Sequence, residues 1–215
     1  MKKILLYVCL FFCSLMLTSC IDIVQHITRK SDGTEKNIIS ITFSKAIFEM
    51  AKAMQGDSFS PNYDDFFKEL GETDSLNSDG FSATRSKIDN EFSAGYLIDM
   101  DINYKDKAIK EKVLSNIEAE GLPVHVYDKD KIVINLGFLH NNATSKNDEM
   151  GQAFLASAKY RLLLSKTSMP KLSKVVLKSR NGEMNMAYAD FYDEYLIEIP
   201  ILLLVENQCT MELYQ

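Results

Sequence analysis

Tyr96-Leu97-Ile98-Asp99-Met100-Asp101-Ile102-Asn103-Tyr104 is the stretch that decides the fold. Tyr96, Ile98, Met100, Ile102 and Tyr104 fall on one side of a two-residue period, and Leu97, Asp99, Asp101 and Asn103 on the other. An apolar face against a mostly acidic one predicts a half-buried strand, because successive side chains of an extended chain point to opposite faces of a sheet. A strand of this kind needs neighbours, and the chain supplies them on both sides.

Toward the N-terminus, Ile21, Ile23 and Ile27 alternate loosely with Asp22, Val24, His26 and Thr28. Ser31-Asp32-Gly33-Thr34 follows, and then Ile39, Ile41 and Phe43. The pattern predicts a hairpin, with Asp-Gly at the centre of a type I′ turn. Toward the C-terminus, Leu122 to Tyr127 and Lys131 to Leu136 predict a second hairpin around Lys129-Asp130. Leu172 to Lys178 and Glu183 to Phe191 predict a third around Asn181-Gly182, and an apolar segment from Tyr195 to Val205 closes the β pattern.

Between these lie four segments with helical spacing. Ser44 caps a helix carrying Ile47, Met50, Ala51 and Met54 that runs to Gly56. Ser60-Pro61 opens another, with Tyr63, Phe66, Phe67 and Leu70, ended by Gly71. Lys105 to Glu120 and Asn147 to Ser165 read as two more, the latter with Met150, Phe154, Leu155, Ala158 and Leu162 on one side. The polar stretch from Gly71 to Ala83 reads as a mobile loop. The sum is an α+β fold with mainly antiparallel sheets and about four helices packed on one face. Residues 20–215 form a single domain, with a possible sub-division near 140–147.

The chain opens Met1-Lys2-Lys3, continues with an apolar run from Ile4 to Leu17, and reaches Leu17-Thr18-Ser19-Cys20. Charged start, short apolar core and small residues are the parts of an export signal. The core is shorter than the roughly 20 residues that a membrane-spanning helix needs. The closing tetrapeptide resembles the lipobox of bacterial lipoproteins. That resemblance implies that residues 1–19 are cleaved and that Cys20 takes a diacylglycerol and fatty acid such as palmitate. Each buried methylene adds about 0.8 kcal/mol, so several chains anchor where one alone would not. Ile21 in place of Asp after the cysteine implies a bacterial outer membrane sooner than an inner one.

The opening hairpin directly after Cys20, with Asp22, the Ser31-Asp32-Gly33-Thr34 turn and the helix from Ser44, also resembles the start of the LppM-like lipoprotein family. That resemblance implies an envelope domain that handles lipids or glycolipids, and it carries over no catalytic residue.

Removal of residues 1–19 leaves 22 basic against 30 acidic side chains, a formal charge of −8. An acidic body repels phosphate backbones and anionic headgroups, which argues against a nucleic-acid partner. Cys9 and Cys13 leave with the signal and Cys20 is consumed by lipid. Cys209 therefore has no partner for an intramolecular disulfide, and its role is open.

The chemistry-bearing residues are dispersed. His26, His125 and His140 stand far apart, with no H-E-x-x-H or C-x-x-C spacing, so neither a metal nor a cofactor is expected. Ser75-Leu76-Asn77-Ser78-Asp79-Gly80 lacks the first and last ligands of a calcium loop, and acid pairs such as Asp64-Asp65 read as solvated faces. Two binding surfaces are expected. One is an apolar groove of Ile47, Met50, Met54, Tyr63, Phe66 and Phe67. The other is a recognition patch of Tyr188 and Tyr192, on the strand face that also carries Asp190 and Glu194. The reading is a membrane-anchored, non-catalytic binding or interaction module for an envelope protein, a lipid or another apolar ligand. The alternative is an enzyme with a dispersed site, for instance His125 with Asp99 or Asp101.

Overall fold

The computed structural model describes residues 21–46, 49, 75–78, 80–104, 111, 125–137 and 155–215. Two sheets account for most of them. The first contains β1 (Ile21–Arg29), β2 (Thr34–Ser44), β3 (Ser75–Ser78), β4 (Phe81–Asp89), β5 (Ser93–Asn103), β8 (Lys159–Ser165), β11 (Tyr188–Asp190) and β12 (Glu194–Pro200), in the order β11-β12-β8-β1-β2-β5-β4-β3. The second contains β6 (His125–Asp128), β7 (Lys131–Asn135), β9 (Lys174–Ser179), β10 (Gly182–Met186) and β13 (Thr210–Tyr214), in the order β10-β9-β13-β7-β6. A six-residue helix, α1 (Ile201–Glu206), carries the chain from β12 toward β13.

Both sheets draw strands from before and after the 140–147 segment, which itself lies outside the described residues. One core joins them. Ile23, Ile27, Met100, Ile102, Leu162 and Ile197 of the first sheet pack in a single cluster with Ile132, Ile134, Val175, Leu177, Met211 and Leu213 of the second. Each set occupies alternate positions of its strands, as two inner faces of a sandwich require.

Pairing is antiparallel throughout, save one contact. β1 runs parallel to β8, with Asp22 opposite Lys159 and Ile27 opposite Leu164, while its other side runs antiparallel to β2. β2 and β5 approach closely at Gly95. A Cβ there would lie 2.0 Å from the Ile41 carbonyl oxygen, so only glycine fits the position.

These observations correct the α+β expectation. The described residues form a β-sandwich, not a sheet covered by about four helices. The spacing from Asn147 to Ser165 predicts a helix, but residues 159–165 are β8, with Tyr160, Leu162 and Leu164 inward. The Gly71 to Ala83 loop is replaced over its described part by β3 and the start of β4. The segment Tyr195 to Val205 is a strand only as far as Pro200, after which Ile201 begins α1. The helix expected from Ser60 to Gly71, all but Glu111 of the one from Lys105 to Glu120, and nearly all of the one from Ser44 lie outside the described residues.

The first hairpin forms with a different turn. Of its loop residues only Gly33 has positive φ, 83°, and Gly33 N–H bonds the Lys30 carbonyl at 3.0 Å while Lys30 N–H bonds the Thr34 carbonyl at 2.7 Å. This is a three-residue loop that places glycine in the left-handed position, not a two-residue type I′ turn. Asp32 Oδ1 accepts from the Thr34 amide at 2.8 Å and holds the loop shut.

Candidate functional site

The sandwich has two recognisable ends. Ile21, Ser44, Ser93, Lys159 and Pro200 lie together at the end where the chain leaves Cys20, because β1–β2, β2–β5, β1–β8 and β8–β12 all pair there. The Lys30–Gly33 loop, Ser165 and the β11–β12 turn lie at the other. Nine residues of β1 separate the ends by about 30 Å.

Inside the sandwich, toward the far end, sits a cluster of ionisable side chains. Glu35 of β2 and Tyr104 just past β5 come from the first sheet, His125 and Tyr127 of β6 from the second. Glu35 and His125 are each only 1% exposed. Glu35 Oε1 bonds His125 Nε2, and Glu35 Oε2 accepts from the Tyr127 hydroxyl. The Tyr104 hydroxyl lies 3.5 Å from His125 Nε2, and the His125, Tyr104 and Tyr127 rings meet edge to face at 5.9 to 6.3 Å. The Arg29 guanidinium lies 5.5 Å from the Tyr127 ring centre. Burial, and then the neighbouring Glu35 carboxylate, push both tyrosine hydroxyls far above the usual phenol range, so both stay protonated and act as donors.

An acid bonded to a histidine is the raw material of general acid–base chemistry. Here it is sealed in the core, and its other neighbours are two protonated phenols. The arrangement satisfies a buried carboxylate and cross-links the two sheets. The pairing of His125 with Asp99 or Asp101 does not form. Those aspartates point out of the opposite face of the first sheet, where Asp99 meets Lys36 at 2.9 Å and Asp101 meets Lys30. His26 also faces outward, 3.8 Å from Glu194, so it is separated from His125 by the sheet itself. His140 and Asp64-Asp65 lie outside the described residues. No group of three metal-ligating side chains occurs among the described residues.

A second polar cluster lies in the same layer. The Tyr160 hydroxyl donates to Gln25 Oε1 at 2.5 Å, and Gln25 Nε2 donates to Asn37 Oδ1 at 3.1 Å. All three are fully buried, and Asn37 Nδ2 has no acceptor among the described residues.

The binding features lie elsewhere. A cavity of about 230 Å³ opens between the β9–β10 hairpin and α1, floored by Leu177, Met184, Leu203 and Cys209 and rimmed by Ser179, Asn181 and Asn207. Asn181 Nδ2 bonds Asn207 Oδ1 at 2.7 Å and ties the hairpin to the end of α1. Cys209 is buried, and burial raises its thiol pKa, which disfavours the reactive thiolate. At the far rim a shallower hollow of about 440 Å³ is lined by Lys30, Thr34, Gly80, Phe81 and Asn103.

Tyr188 and Tyr192 are not brought together. Tyr188 turns inward, donating to the Leu172 carbonyl at 2.8 Å and packing edge to face on Tyr195 at 5.9 Å. Tyr192 is 98% exposed in the β11–β12 turn, next to Phe191 at 50%. The groove residues Ile47, Met50, Met54, Tyr63, Phe66 and Phe67 lie outside the described residues, as does Cys20. No described helix is long and apolar enough to cross a membrane. Comparison with protein-family models, with curated proteins and with solved structures found no match.

Proposed function

We propose that this chain is an exported, lipid-anchored protein of the bacterial cell envelope whose sandwich works as a non-catalytic binding module for an apolar ligand or a partner protein. The observation that carries the reading is that Ile21, the residue after Cys20, already belongs to β1. A lipid on that cysteine would hold the folded body against the bilayer with no tether between them. Residues 1–19 act as the export signal in this reading, and an outer membrane is the favoured destination.

Binding is favoured over catalysis because the acid–base pair of the described core is shut away from solvent. Two of the accessible features offer apolar surface: the cavity beside Leu203 and Met184, and the Phe191-Tyr192 turn at the end opposite Ile21. Aromatic residues on an ordered turn supply contact area at small entropic cost.

Two measurements test the proposal. Intact-mass analysis of the chain produced in a bacterium should show loss of residues 1–19 and a diacylglycerol on Cys20, and Cys20→Ser should leave the protein in the aqueous phase of a detergent extraction. Native mass spectrometry of the purified chain should then show a bound apolar molecule that Leu203→Trp displaces. An unmodified Cys20 sinks the anchor, and a ligand-free protein removes the apolar-ligand form of the module.

A further inference from the structure

Phe92 is 74% exposed, and it sits in the β4–β5 turn at the end of the sandwich where β1 begins. The registers place it closely. Ile21 is level with Phe43, and Ser44 is level with Ser93, so Phe92 lies beyond the level of Ile21 by about two residues' rise, roughly 7 Å. Sideways it is two strands from β1, about 10 Å. Cys20 adjoins Ile21 through one peptide bond, a Cα step of about 3.8 Å. Ile21, the residue bonded to Cys20, and the Phe92 turn therefore lie at the same edge.

The turn is held in place. Asn90 Oδ1 accepts from the amides of Phe92 and Ser93, both at 2.9 Å, and Asn90 N–H returns a bond to the Ser93 carbonyl at 3.0 Å. The Phe92 carbonyl accepts from the Lys45 amide at 2.9 Å, tying the turn to the end of β2. A large ring is thus displayed on an ordered support and stays in water. Beside it, among the described residues, Lys45 and Lys87 both pair with Asp89, and Glu91 is exposed, so these four formal charges cancel.

We propose that Phe92 is a second membrane contact, inserting into the interfacial layer of the phospholipid bilayer that holds the Cys20 lipid and fixing the orientation of the sandwich on it. The inference rests on the lipid anchor proposed above. Once the anchor holds the domain, insertion of the ring is an intramolecular step, so one residue suffices where it would be too weak alone. Because the ring itself carries no charge and the four charges flanking it cancel, the contact is apolar and insensitive to salt.

The chain contains no tryptophan, so Phe92→Trp and, separately, Tyr192→Trp each introduce a lone indole, one at either end of the sandwich. Both substitutions are at exposed positions. The lipidated full chain is incorporated into phosphatidylcholine vesicles with and without brominated acyl chains, and flotation confirms attachment. In the Phe92→Trp protein the indole emission is expected to shift to the blue and lose about half its intensity or more in brominated vesicles, with no change at high salt, while the Tyr192→Trp protein keeps its emission. Quenching of the Phe92→Trp protein no greater than that of the Tyr192→Trp protein, in chains that float, overturns the second contact and leaves the anchor standing. A protein that carries no lipid and does not float overturns both.

Discussion

Glu35 and His125 lie 90 residues apart in the chain, on different sheets, and bond side chain to side chain across the interior. Each is the means by which the other is tolerated there. A buried charge without its partner is costly, so the two halves of the sandwich are matched by an interaction that punishes mismatch more than it rewards contact. Removal of either member alone, by Glu35→Ala or His125→Ala, is expected to lower unfolding stability by about 3–5 kcal/mol, as in other broken buried pairs. Glu35→Leu combined with His125→Leu should recover most of that loss. Denaturant titration of the three variants checks it, and additive losses would show that the pair is not coupled.

Glu212 predicts a pH dependence. On the outer face of the second sheet its carboxyl is held down to about 2 by the hydroxyl of Tyr214 first, and then by Lys131 and Lys178 at 2.9 Å each. Its folded pKa is below its unfolded one, so its stabilisation is complete above about pH 4.5 and is lost as pH falls toward 2. Melting temperatures of the native chain and of Glu212→Gln should differ most near neutral pH and converge as the medium is acidified through that window. A constant difference across it contradicts the assignment.

Gly95→Ala should be severe despite its small size. The added methyl would meet the Ile41 carbonyl of the paired strand, and backbone cannot step aside as a side chain can. A loss of about 2 kcal/mol or more is expected in thermal or urea unfolding, well above the usual cost of a conservative surface change. Unchanged stability would mean that β2 and β5 are farther apart than described.

Cys209 should be silent toward thiol reagents while the protein is folded. It is 2% exposed and its pKa is raised by burial, so the reactive thiolate is both scarce and covered. With Cys9, Cys13 and Cys20 all replaced by Ser, reagent uptake should follow unfolding as denaturant is added. Prompt labelling in native buffer would place the thiol in an open site.

Much of this fold is legible where local pattern and pairing agree. The hairpins around Gly33, Lys129 and Gly182 each turn at a residue of positive φ, and Tyr96 to Tyr104 alternates because one face of β5 is buried. Residues 159–165 mislead because Phe154, Leu155, Ala158 and Leu162 fit a helical stripe. The alternation of Tyr160, Leu162 and Leu164 with Lys159, Arg161 and Ser165 is the pattern that pairing with β1 selects, and that partner lies more than 130 residues away. Phe81–Asp89 hides because only Phe81 and Ala83 are buried in it, so its composition resembles that of a loop. β13 is five residues long and gives a period too little room to register.

The buried cluster leaves one trace in the sequence. Glu35 and Asn37 share the parity of Ile39 on β2, so the hairpin that buries Ile39 must take a carboxylate inside with it. A charge at an inward position calls for a partner. The identity of that partner depends on how two sheets stack, which no local period encodes.

The placement of β1 bears on how the molecule is made and how it carries load. This first strand is flanked by β2 on one side and by β8 on the other, so it cannot be completed until the chain past residue 159 has arrived. Under the proposed export, a polypeptide threaded outward from its N-terminus would stay open through most of its passage, as a route that accepts only unfolded chains requires. Once the sheet closes, traction on the N-terminus runs along a strand clamped by two neighbours. All their rungs must then shear at once, where an edge strand would unzip one rung at a time.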